Sequence, residues 1–134
     1  MLEKNKIKYI FILFLCYPFL SHADYVCNNI QQSGEVYGCS KKLLDASDAE
    51  LNLAYKRLLS SVDKNYQSHI EEKNEYIKKI KFSQRAWIDF RDKNCEARSY
   101  QIKVGTQAYE SSLYACKDKM TQDRIKEINY MTYN

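Results

Sequence analysis

The sequence predicts an all-α fold: a three-helix antiparallel bundle or hairpin with an N-terminal loop closed by one of two disulfides. Three observations carry that prediction. No glycine or proline lies between Gly38 and Gly105, so nothing in that span breaks a helix. Apolar residues there recur every three or four positions, the repeat of one helix face, without the alternation a half-buried strand would show. Four cysteines follow a leader-like N-terminus, as in a small exported domain stapled by disulfides. At 134 residues the chain has material for one core and no more.

Residues 1–23 read as a signal peptide. Lys4, Lys6 and Lys8 form a charged start, Tyr9 to Leu20 an apolar run, and Ser21-His22-Ala23 a small-residue end with cleavage expected after Ala23. The run of about 12 residues is shorter than the ~20 a membrane-crossing helix needs, so no stable membrane span is expected. Cys16 lies in this segment behind bulky Phe14 and Leu15, where a lipidation signal needs small residues, and is expected to leave with it. Residues 24–134 remain as a single helical domain, periplasmic or secreted.

The stretch from Tyr25 to Gly38 is polar and rich in turn residues, and reads as a loop closed by Cys27 and Cys39. A first helix is expected to begin between Ser40 and Ser47, where Ser47-Asp48-Ala49-Glu50 has the form of a capping box. Its apolar stripe is Leu51, Tyr55, Leu58, Val62 and Tyr66, and it ends somewhere in Ser60 to His69. A second helix is expected from about Ile70 to Ile102, with Tyr76, Ile80, Trp87 and Phe90 on one stripe and Ile77, Gln84 and Ile88 beside it. Gly105-Thr106 then supplies a C-terminal glycine and a new cap. A third helix carries Tyr109, Leu113, Cys116, Met120, Ile125, Ile128 and Met131 at helical spacing. These faces can leave water only against one another.

With Gly105 at the tip of a hairpin, Cys95 lies ten residues before it and Cys116 eleven after it, which sets the two at nearly equal height at ~1.5 Å rise per residue. Pairing Cys95 with Cys116 closes a loop of about 22 residues, worth roughly 3 kcal/mol on a chain-entropy account. Cys27 with Cys39 is then the second pair, and crossed pairings are the alternative. A zinc site favours close pairs such as C-x-x-C, and the spacings of 12, 56 and 21 here do not supply them.

Loss of residues 1–23 removes three lysines and Glu3, which lowers the formal charge from +4 to +2. Lysines alternate with acids along most of the chain, so no clustered basic face of the kind nucleic acid requires is expected. His69 is the only histidine of the mature domain, and no nucleophile elbow, zinc-protease, phosphate-loop or calcium-loop pattern occurs. No catalytic residue, cofactor or metal ligand is therefore assigned. Asp48 with Glu50, Glu71 with Glu72, and Asp89 with Asp92 are read as solvated helix faces in preference to acid–base pairs. Twelve tyrosines suit either a recognition surface or half-buried positions of a thin bundle. Tyr25, Tyr37, Tyr100 and Tyr114 fall off the main stripes.

Two segments carry a resemblance. Asp48-x-x-Leu51-Asn52-x-x-Tyr55 and Gln84-x-x-Trp87-x-x-Phe90-Arg91-x-x-x-Cys95 stand between an early cysteine pair and a late cysteine. In order and spacing they resemble the lysozyme inhibitor LprI-like N-terminal domain family, over roughly Cys27 to Ile128, and Thr121 and Arg124 also suit its pattern. Where many members have a Gly-Gly-Ser tip, this chain has Gly105-Thr106. The resemblance implies a mostly helical exported domain and, for some members, inhibition of lysozyme.

Leu51, Asn52, Tyr55, Gln84, Trp87 and Arg91 are thus the motif residues to follow. Two roles stand open for the polar ones: hydrogen bonds between helices, or contact with a target, with Arg91 as a carboxylate-pairing fork and Trp87 as an anchor. The leading expectation is an exported non-catalytic binding protein whose partner is a protein, with lysozyme as the family's example. Common lysozymes are strongly basic, and a charge of +2 provides no steering toward them. The alternative is an accessory or protective interaction module of the cell envelope. A cell-wall enzyme is a third class and needs a carboxylate pair about 5 to 9.5 Å apart in a cleft. The intact mass of exported protein is expected to equal that of a chain beginning at Asp24 and lacking four hydrogens; an uncleaved chain or four free thiols would contradict this.

Overall fold

The computed structural model describes Cys27, Ile30 and residues 32–133. The expected signal peptide lies outside the described residues, as do Cys16 and Tyr25. Three helices follow in order: α1, Ser33–Asn65; α2, Ile70–Arg98; and α3, Gln107–Tyr133. No strand occurs among the described residues. α2 runs antiparallel to its neighbours, and α1 and α3 are parallel, with Tyr37 beside Tyr114 and Asp48 beside Thr121.

α1 begins earlier than the sequence suggests. Gly34 and Gly38, read as loop residues, lie inside the helix, and Ser47, read as a cap, lies buried in its middle with its hydroxyl donating to the Leu44 carbonyl at 3.1 Å. The actual start is at Gln32, whose N–H donates to the Glu35 carboxylate at 3.1 Å, satisfying an exposed donor and placing negative charge at the helix N-terminus. Each glycine costs about 1 kcal/mol in a helix interior. Burial of Cys39, Ser40 and Leu44 and the Cys27–Cys39 disulfide offset that cost.

The close seam of the molecule is between α1 and α3. On α1, Ser40, Leu44, Ser47, Leu51, Ala54, Leu58 and Ser61 follow in alternating steps of four and three residues, and all but the half-buried Ser61 are buried. Small and large side chains alternate along this line, so the small ones let the α3 backbone approach while the leucines fill the space between. α3 answers with Asp118, Thr121, Ile125 and Ile128 in steps of three and four. A mean step of 3.5 residues is that of near-parallel helices packed knobs into holes. Leu51, Ala54, Leu58, Val62, Ile80, Ile125 and Ile128 form the core, with Tyr55, Tyr66, Tyr76, Trp87 and Met131 packed on it.

α2 contributes little apolar surface. Its buried residues are Ile80, Gln84, Arg91 and Cys95, whereas Phe90, expected on the inner stripe, is 58% exposed and Ile88 is exposed as well. Two of the four buried positions are polar; of the expected stripe Ile80 is core and Tyr76 and Trp87 pack on it, while Phe90 faces out. α2 also ends at Arg98, short of the expected Ile102, in a turn where Gly105 has φ +81°. Only glycine takes that conformation cheaply. Thr106 then caps α3, accepting from the Tyr109 N–H at 3.2 Å.

Cys95 and Cys116 are joined across the α2–α3 hairpin with Cα atoms 5.6 Å apart, and Cys27 and Cys39 are joined with the same Cα separation. The hairpin is further closed by a Ser99–Ser112 hydroxyl contact of 3.0 Å. At the opposite end, where α1 turns into α2, Lys73 pairs with Asp63 at 2.9 Å and the Tyr66 ring meets Tyr76 edge-on at 5.9 Å. Replacing Cys95 and Cys116 together by alanine is expected to lower stability by about 3 kcal/mol, seen as a fall in the thermal midpoint of roughly 10 to 20 °C by circular dichroism. An unchanged midpoint would show that polar contacts alone hold α2.

Candidate functional site

Arg91 stands where the three helices meet and is 7% exposed. Its Nη1 donates to Asp48 Oδ1 on α1 at 2.6 Å and to Thr121 Oγ1 on α3 at 2.9 Å. Its Nε donates to Asp92 Oδ1 at 3.0 Å, and Lys117 of α3 lies 3.3 Å from the same oxygen. Thr121 closes the triangle by donating to Asp48 at 3.4 Å. A buried guanidinium is tolerable only when paired and hydrogen-bonded, and each partner here comes with its own helix.

One helical turn away a second tie repeats the arrangement. Arg124 of α3 donates from Nε to Gln84 Oε1 at 3.1 Å and from Nη2 to Ser83 Oγ at 3.2 Å. Trp87 lies between the two guanidiniums, with Arg91 Cζ 5.4 Å and Arg124 Cζ 5.7 Å from its ring. Cations over an indole face are attracted by the ring quadrupole. Trp87 is half-buried and thereby couples the two ties.

Because α2 meets α1 through few side chains, a groove of about 470 Å³ stays open between them. Asp48, Leu51, Asn52 and Tyr55 form its α1 bank; Lys81, Gln84, Arg85, Ile88 and Arg91 form its α2 bank. A shallower hollow of about 310 Å³ adjoins it along α2 and shares Lys81 and Arg85. The Asn52 amide and the Tyr55 hydroxyl have no hydrogen-bond partner among the described residues. Asp48 is the only carboxylate on either bank, and Arg91 holds it.

The motif residues therefore divide. Gln84 and Arg91 form interhelical hydrogen bonds, Leu51 is core, Trp87 sits between cations, and Asn52 and Tyr55 face the groove with free polar groups. Two acids read as parts of solvated faces do otherwise: Asp48 and Asp92 both pair with Arg91. Lys81 and Arg85 were not singled out in the sequence, where a helix face of alternating charge gives no sign of a groove. His69 is exposed in the α1–α2 turn. The Tyr37 and Tyr114 rings meet at a tilt of 49° with centroids 5.8 Å apart, and desolvation with hydrogen bonds to Tyr37 and Glu110 pushes the Tyr114 phenol up to about 12. Tyr100 is fully out in solvent. Among the described residues no group of three or more His, Cys, Asp or Glu is placed to hold a metal ion. No described helix is long and apolar enough to cross a membrane.

The family model described as lysozyme inhibitor LprI matches residues 27–128. The chain is 34% identical over 97 residues to the uncharacterized protein YecT of Escherichia coli strain K12, across 69% of this chain and 60% of that one. It thus spans less than two thirds of that relative's length. The crystal structure of a DUF1311 family protein from Pseudomonas putida KT2440 superposes with a TM-score of 0.66 at 17% identity, covering 79% of this chain and 96% of the other. That likeness concerns the fold.

The division of roles predicts a contrast between two arginines of α2. Arg91→Ala is expected to lower stability by about 1 to 3 kcal/mol, since it takes the cation from Asp48 and a donor from Thr121 while Asp92 keeps Lys117. Arg85→Ala should change it by no more than ~0.5 kcal/mol, as is usual for an exposed side chain. Urea denaturation midpoints measure both; equal effects would contradict the division.

Proposed function

The chain belongs to the lysozyme inhibitor LprI family, and from that premise we propose that it is an exported, non-catalytic protein-binding domain that inhibits a lysozyme by occluding its cleft. At the level of the family the chain is lysozyme-inhibitor-like; the target and the mode of contact are the proposal. Its export rests on the leader-like residues 1–23 and on two disulfides, which persist in oxidising compartments.

The observation that carries the binding reading is the α1–α2 groove. It presents Asn52 and Tyr55, two residues of the family-like motif, with polar groups that the fold itself does not use. A binding surface needs such unspent donors and acceptors beside apolar area, and the exposed Ile88 supplies the latter. Hydrolysis of a glycosidic bond needs two carboxyl groups flanking the bond. The groove offers one, Asp48, already committed to Arg91.

A second reading, an accessory or protective module of the cell envelope with a partner other than lysozyme, is favoured by the formal charge of +2 expected after cleavage. A cationic inhibitor meets a basic lysozyme without long-range attraction. The two readings separate in a turbidity assay with purified mature protein, a cell-wall suspension and lysozymes of several types. Inhibition is expected to slow clearing of the suspension in proportion to protein added, for at least one type. No slowing with any type would remove the inhibitor reading and leave the accessory one.

A further inference from the structure

We infer that the α1–α2 groove captures a carboxylate-bearing segment of a partner protein, through Lys81 and Arg85 as cations and Asn52 and Tyr55 as hydrogen-bonding groups. The inference rests on the reading of the domain as a protein binder and names the chemistry of what it binds.

Charge balance is the first argument. The groove and the hollow beside it are lined by Lys78, Lys81, Arg85 and Arg91 against a single carboxylate, Asp48, which Arg91 already neutralises. Lys78 rests over the Phe82 ring at 5.9 Å, and Lys81 and Arg85 have no ion-pair partner among the described residues. Several other surface lysines do pair with acids of their own helix, as Lys41 with Asp45, Lys79 with Glu75, Lys93 with Asp89 and Lys119 with Asp123. Four residues either side of Lys81 stand Ile77 and Arg85, and the acid four residues after Arg85, Asp89, pairs with Lys93 instead, so the two cations are left as i,i+4 neighbours whose Cβ atoms stand about 5–6 Å apart.

The second argument is the kind of anion. Phosphate sites draw on free backbone N–H groups at helix N-termini or in nests. Lys81 and Arg85 lie in the middle of α2, where every backbone N–H is spent within the helix. Only side chains can act there, and a planar guanidinium with an ammonium one turn away pairs with a carboxylate or a phosphate alike, so the apolar lining decides the kind of anion. Ile88 in the groove, and Phe82 and Ile77 in the hollow, add apolar surface that a peptide segment covers and a bare anion does not. Asn52 and Tyr55 on the opposite bank are placed to bond peptide groups.

The test is a nuclear magnetic resonance titration of the ¹⁵N-labelled mature domain with a synthetic peptide alternating glutamate and leucine, beside a matched lysine–leucine peptide. Shifts are expected at backbone and side-chain amides of residues 52–55 and 81–88, with the acidic peptide only, and Lys81→Glu with Arg85→Glu should weaken binding about tenfold or more. The side chains replaced are exposed on the groove rim, and the double variant is expected to keep its helices, which circular dichroism checks. Absence of shifts, shifts that survive the double variant, or equal shifts from inorganic phosphate or a heparin fragment of the same charge would each overturn the inference. A domain that slows lysozyme yet ignores the acidic peptide would refute the groove chemistry and leave the inhibitor reading standing, whereas the reverse result would do the opposite.

Discussion

A single buried guanidinium holds this molecule in register. Arg91 reaches Asp48 on α1 and Thr121 on α3 from the same nitrogen, and Asp92 from another. Apolar packing is tolerant of sliding, since one methylene resembles the next, but the two interhelical hydrogen bonds, to Asp48 and Thr121, are not. Burying such a charge gains little stability over a well-packed hydrophobic residue of similar volume. What it supplies is a penalty on every other arrangement: a shift of α2 by one turn takes the guanidinium away from Asp48 and Thr121. Trp87 extends the constraint to Arg124 and Gln84, so that the two ties act along one stretch of α2.

The same constraint explains why the bundle is lopsided. α1 and α3 are joined by a seam of alternating small and large side chains, with Ala54 and Thr121 fully enclosed. α2 buries only Ile80 as an aliphatic residue and is held by polar ties, by Lys73–Asp63 at one end and by Cys95–Cys116 at the other. A helix fastened at points along its length does not need to lie flush against its neighbour. The gap that remains between α1 and α2 is the groove, and its banks inherit the side chains that the ties leave over: Asn52, Tyr55, Lys81 and Arg85.

The disulfides fit that economy. With few buried large side chains, the domain gains from covalent restraint of the unfolded chain. One bridge lies where α2 and α3 would otherwise splay beyond Arg91, and the other binds the segment before α1 to its second turn. Membership of the LprI family and the fold shared with the Pseudomonas putida structure belong to this arrangement as a whole. The similarity to the Escherichia coli relative covers only part of that protein.

Much of the fold was legible because it depends on local rules. A long span without glycine or proline, helical spacing of Leu51, Leu58 and Val62, Gly105 before a threonine cap, and cysteines at matched distances from that glycine determined three helices and the hairpin bridge. The true start of α1 was not legible, because tertiary burial of Cys39 and Leu44 overrode the weak local cost of two glycines. The inner face of α2 was legible in part, through Tyr76, Ile80 and Trp87, and missed where Gln84 and Arg91 are polar by type and buried by partnership. Sequence alone thus determined which segments coil and where they turn, since those depend on neighbours along the chain. Only the tertiary structure decided which polar residues are spent on holding helices together and which remain on an open bank, since that depends on residues 40 positions away and more meeting at hydrogen-bond distance.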